Sequence, residues 1–114
     1  MLRADDRAPF ARLNGVDADR LFGGVRTPAY ITDAAQLRAN GRILKGVQER
    51  TGCRILLAQK AFSVFSCYPE LAPFLAGTEA SGLYEARLGR EEMPGKEVHV
   101  FCGAYREDEF VELL

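Results

Sequence analysis

The stretch "RILLAQK", residues 54–60, constrains the fold more than any other. Ile55, Leu56, Leu57 and Ala58 follow one another without a polar interruption. A strand with one wet face alternates. A continuous apolar run marks a strand covered on both faces, the habit of parallel sheets flanked by helices. The run then meets Gln59 and Lys60, so an ammonium group stands where a buried strand ends.

The surrounding chain alternates in the same sense. Asp33 caps a helix over 34–50, with Gln36 as its capping-box partner and Gly52 as its stop. Leu37, Leu44 and Val47 form its apolar stripe, which Gly41 and Gly46 weaken. A second helix is expected over 67–77, with Pro69 in its first turn, Pro73 limiting it and Gly77 ending it. A short strand over 78–82, a helix over 83–92 and an alternating strand over 97–103 follow. From Arg106 another helix begins, with acidic residues in its first turn. Upstream, "TPAYIT" (27–32) reads as a short strand. Residues 1–26 read as polar and irregular, with a short helix over 17–22. Strands joined by helical crossovers, about 20 to 27 residues apart, imply an α/β fold with a parallel sheet. The sequence stops at Leu114 inside an amphipathic helix, so a longer polypeptide is expected.

Composition narrows the partners. The 114 residues allow one domain, and a 47% hydrophobic content suits a globular one. A net charge of -1 and the lack of any basic run give no electrostatic reason for nucleic acid or an anionic membrane as partner. No apolar run approaches the roughly 20 residues of a membrane span. The N-terminus has no apolar core like that of a secretory signal, so a cytoplasmic location is expected. Cys53, Cys67 and Cys102 are far apart and suit free thiols in a reducing compartment. With one histidine, His99, and no paired Cys motif, they leave little material for a transition-metal site.

Side chains alternate along a strand, so Lys60 shares a face with Leu56 and Ala58, while Ile55, Leu57 and Gln59 face the other way. In parallel α/β folds, sites form at the C-terminal ends of strands. A lysine partly withdrawn from water there is more readily neutral and able to form a Schiff base. On spacing alone, a lysine snorkelling to solvent is the commoner arrangement.

"TPAYITDAAQLRANGRIL", "GCRILLAQKAF", "GTEASGLYEARLG" and "EVHVFCGAYREDE" together resemble the N-terminal part of the carboxynorspermidine decarboxylases, members of the alanine-racemase-like pyridoxal-phosphate enzymes. The resemblance runs from about residue 27 to the end of the chain. It implies the first three strands of a (β/α)8 TIM-type barrel within 33–114. Residues 1–32 would be an N-terminal arm and one strand of a β-domain otherwise missing. It also implies decarboxylation of carboxynorspermidine or carboxyspermidine in polyamine biosynthesis, with pyridoxal 5'-phosphate as cofactor, no metal, and a homodimer for the full-length protein. Carried over residue by residue, Lys60 is the cofactor lysine and the catalytic residue. Ala58 lies beneath the cofactor, and Ala80 and Ser81 line the same pocket. Glu79 stands near the lysine or in solvent with equal ease. Glu85 and Arg87 form an exposed, ion-paired helix side, Tyr105 is a loop tyrosine, and His99 packs in the core.

The phosphate loop, the ring-stacking residue and the acid that pairs with the pyridine nitrogen are absent from these residues, so little activity is expected of the chain alone. Three alternatives stay open. One is decarboxylation of another basic amino acid, or racemisation, on the same fold. The others are a non-catalytic pyridoxal-phosphate carrier and a plain α/β domain that makes protein contacts.

Overall fold

The computed structural model describes residues 12–13, 16–26 and 28–114. The chain falls into two compact units, Met1–Thr32 and Asp33–Leu114.

In the first unit, β1 (Arg12–Leu13) pairs antiparallel with β2 (Val16–Asp17), Leu13 opposite Val16. The intervening sequence is Asn-Gly, the dipeptide most typical of two-residue hairpin connections, so this pairing had a readable local signal. Helix α1 (Ala18–Phe22) follows, and the Asp17 carboxylate accepts from the amide of Asp19 at 2.9 Å. Residues 28–32 form no strand, which corrects the expectation for 27–32; Thr27 lies outside the described residues. A strand exists only as a member of a ladder. Among the described residues this segment has no ladder partner, and Tyr30 is fully exposed.

The second unit opens with α2 (Ala34–Thr51). The Asp33 carboxylate accepts from Ala35 N at 2.9 Å and Gln36 N at 3.1 Å. Gly52, at φ 73°, ends the helix in the left-handed region that glycine enters without strain. The Gln36 side chain turns forward to Asn40 instead of back to the cap, so the expected box is only half formed. Gly41 packs against Phe74, where a Cβ would lie 2.5 Å from Cδ2 of the ring. That glycine weakens the isolated helix but lets α2 approach its neighbours.

Strands β3 (Leu56–Ala58), β4 (Gly77–Ala80) and β5 (Glu97–Val100) form a parallel sheet in the order β3-β4-β5. In register, Ala58 stands beside Glu79, and Glu79 beside His99. Between β3 and β4 a short 3-10 turn leads into α3 (Tyr68–Leu71), much shorter than the expected 67–77. Pro73 has no amide hydrogen to continue the ladder, and the chain turns off there. Helix α4 (Leu83–Glu92) joins β4 to β5, and α5 (Glu107–Leu113) follows β5 with three acids in its first turn.

The core is Tyr68, Leu71, Leu75 and Met93, backed by Leu37, Leu44, Ile55, Leu57, Phe62 and Leu88. These residues gather α2, α3, α4 and one face of the sheet. Gly89 seats α4 directly on that face, since a Cβ there would lie 2.2 Å from Thr78 Oγ1. By alternation, Leu57, Gln59, Thr78 and Ala80 look towards the helices. The other face carries Leu56, Ala58, Glu79 and His99. Of these, Leu56, Ala58 and Glu79 are half-buried and His99 is exposed.

Candidate active site

The C-terminal end of β3 runs into a tight turn. Ala61 N donates to Ala58 O at 3.0 Å, and Phe62 N lies 3.1 Å from Gln59 O and 3.2 Å from Ala58 O. Lys60 sits inside this turn, one residue beyond Gln59 after the end of β3 at Ala58, and is exposed. It forms no ion pair with a described residue. The expected partial withdrawal from water is therefore not met in this chain. Three strands make an open sheet, and an open sheet has no enclosed rim.

Ala58 is half-buried and shares its face with Leu56, as alternation required. Ser81 is exposed just beyond β4, and its amide donates to the Glu85 carboxylate at 2.6 Å. Ala80 is wholly buried and looks towards the helices, so it lines no pocket with Ser81. Glu79 is half-buried on the Ala58 face. His99 corrects its expectation: it is exposed on that face, its ring 3.1 Å from the Glu97 carboxylate.

Glu85 and Arg87 do not share an ion pair. Residues two apart on a helix do not face each other. Arg87 instead forms a bidentate pair with Glu112 of α5 at 2.6 and 2.7 Å. The Glu112 carboxyl is held below its ordinary range chiefly by that hydrogen bond. Glu85 reaches back to the strand end. Tyr105 is a loop tyrosine whose hydroxyl donates to Val100 O and accepts from Cys102 N, both at 3.1 Å.

One residue next to the lysine escaped the sequence reading. Gln59 is completely buried. Its Nε2 donates to Glu85 O at 2.8 Å, and its Oε1 accepts from the Tyr68 hydroxyl at 3.2 Å. The same hydroxyl lies 3.4 Å from Phe62 O. Burial first, then the charges of Glu85 and Glu92, raise Tyr68 above the ordinary phenol range, so it keeps its proton and donates. A polar residue at the end of an apolar run was the available signal, since such a side chain is buried only when fully paired.

Among the described residues no three His, Cys, Asp or Glu side chains stand close enough to hold a metal ion. No helix among them is long and apolar enough to cross a membrane.

The fold and site define an α/β protein with polar side chains gathered at the strand ends of a parallel sheet. Comparison with known proteins is more specific. The chain is 38% identical over 89 residues to the carboxynorspermidine/carboxyspermidine decarboxylase of Campylobacter jejuni, covering 78% of this chain and 23% of that protein. It is 39% identical over 88 residues to the carboxyaminopropylagmatine decarboxylase of Synechocystis, 77% of this chain and 22% of that one. The carboxynorspermidine/carboxyspermidine decarboxylase of Herminiimonas arsenicoxydans is 33% identical over 90 residues, 79% of this chain and 24% of that one. The crystal structure of Campylobacter jejuni carboxynorspermidine decarboxylase with norspermidine superposes with a TM-score of 0.74, over 78% of this chain and 24% of that one. No family model matches. Over most of its length the chain is similar to carboxynorspermidine and carboxyspermidine decarboxylases, and it spans less than a quarter of the length of the curated relatives it matches.

Proposed function

We propose that this chain supplies the lysine-bearing segment of a pyridoxal-phosphate decarboxylase that acts on carboxynorspermidine or carboxyspermidine in polyamine biosynthesis. The observation that carries the reading is Lys60: an amine free of any described ion partner, at the C-terminal end of a parallel strand. Its setting is a chain 38% identical to such a decarboxylase. The three strands are then the first three of a (β/α)8 barrel, with the face of Leu56, Ala58, Glu79 and His99 turned to its interior. The packing of α2, α3 and α4 on the Leu57 face supports this, since barrels place their helices outside.

The residues present suit the cofactor. Lys60 offers a primary amine to its aldehyde, and Ala58 is small enough to leave room below. The Ser81 hydroxyl is exposed at the next strand end. When bound, the cofactor takes up the electron pair released as carbon dioxide departs. Lys60 would hold the cofactor through its primary amine. The complete enzyme is read as a cytoplasmic homodimer, with a small polyamine carboxylate as substrate. The chain alone has little activity, because the phosphate loop and the acid for the pyridine nitrogen lie elsewhere. The 39% likeness to carboxyaminopropylagmatine decarboxylase supports that substrate as the second reading.

The test is direct. Mixed with pyridoxal 5'-phosphate, the chain is expected to show a visible band that borohydride abolishes, leaving the reduced adduct on Lys60. Lys60→Ala is expected to lack both. A Lys60→Ala chain with an undiminished band, or an adduct spread evenly over Lys45, Lys60 and Lys96, overturns the reading.

A further inference from the structure

We propose that Gln59 is a positioning residue for Lys60. Its buried amide, gripped by the Tyr68 hydroxyl and the Glu85 carbonyl, sets the turn from which the lysine leaves the sheet. The inference rests on the reading of Lys60 as the cofactor anchor and deepens it.

The geometry brackets the lysine. Gln59 begins the turn and Phe62 closes it, and the Tyr68 hydroxyl lies within reach of both, at 3.2 Å from Gln59 Oε1 and 3.4 Å from Phe62 O. On its other side the Gln59 amide is tied to the first turn of α4 through Glu85 O. The Glu85 carboxylate meanwhile holds the amide of Ser81, at the end of the neighbouring strand. Two strand ends are thereby tied to one helix terminus. Gly89 makes the approach possible, because a Cβ there would stand 3.3 Å from Gln59 Nε2. A leucine at 59 fills nearly the same volume but grips nothing. It leaves the Tyr68 hydroxyl with only the longer bond to Phe62 O, 3.4 Å away, which is why core filling alone does not account for an amide here.

Two measurements on the 114-residue chain test this in Gln59→Leu and in the milder Tyr68→Phe. The first is amide hydrogen exchange at Ala61 and Phe62, read against Ala76, whose amide bonds Ile55 O just before β3 and β4 begin. The second is condensation of the Lys60 amine with the aldehyde of pyridoxal 5'-phosphate, releasing water, the imine being reduced by borohydride and mapped by mass. Lys45 and Lys96 serve as internal controls. Exchange at Ala61 and Phe62 is expected to accelerate about tenfold with Ala76 unchanged, and the Lys60 adduct to fall about tenfold relative to the other two lysines. Unchanged turn exchange, or a loosened turn with an undiminished Lys60 adduct, overturns the inference. Wild-type chain lacking any preference for Lys60 overturns instead the reading on which it rests, and the exchange data then judge the clamp by themselves.

Discussion

Gly41 and Gly46 lie in the same helix and carry the same intrinsic penalty, yet replacing each by alanine is expected to move stability in opposite directions. Alanine gains about 0.8–1 kcal/mol over glycine in a helix interior. At position 46 the nearest atom to a new Cβ is Arg50 Nη1 at 3.4 Å, the end of a flexible side chain, so the gain is kept. At position 41 the Cβ would meet Phe74 Cδ2 at 2.5 Å, Cγ at 2.8 Å and Cβ at 3.1 Å. Carbon atoms prefer about 3.5–4.0 Å, so the ring must retreat by roughly 1 Å. Phe74 has little freedom to do so. Its carbonyl accepts from Gln48 Nε2 at 2.8 Å, and it stands between Pro73 and the core residue Leu75. Overpacking of this kind costs about 1–3 kcal/mol, which offsets or exceeds the propensity gain. The two variants should therefore differ by about 1–3 kcal/mol, Gly46→Ala above the parent and Gly41→Ala at or below it. Urea unfolding followed by far-UV circular dichroism separates them by about 1 M in midpoint at the usual slopes. Equal midpoints, or Gly41→Ala the more stable of the two, would refute the claim that tertiary contact outweighs propensity at this site.

Asp33→Ala removes the acceptor for two amides at the start of α2 and is expected to cost about 1 kcal/mol in the same urea assay. Gln48→Leu deprives Phe74 O and Ile55 N of their partner, 2.8 and 2.9 Å away, and should cost about 1–3 kcal/mol. Glu97 is held below its ordinary value of 4.5, first by the His99 hydrogen bond and then by Arg54. A carboxyl whose folded value is depressed stabilises the fold above its unfolded value and loses that contribution as pH falls through the folded one. Glu97→Gln should therefore lower the urea midpoint at neutral pH and flatten its decline below about pH 4.5. An acid decline as steep as the parent's would count against this ion group.

Much of this protein was decided over short stretches of chain. Asp33 before an apolar-periodic run and Gly52 after it suffice for the limits of α2, because capping involves only amides and carbonyls within one turn. Helix α4 occupies 83–92 as read, and the unbroken apolar run at 55–58 announced a strand in a parallel sheet. Lys60 was visible as a candidate for the same reason: it is a local anomaly at a strand end. Distant partners decided the rest. Residues 28–32 favour extended structure but need a neighbouring strand to form a ladder, and the described residues offer none. Gly41 and Gly89 look like weak points of helices until Phe74 and Thr78 are seen against them. Gln59 looks like the polar edge of a strand until Tyr68 and Glu85, nine and 26 residues away, enclose it. His99 and Lys60 are exposed, and three strands make a sheet with no enclosed rim. Burial and pairing depend on which residues meet in space, and no window of sequence contains that information.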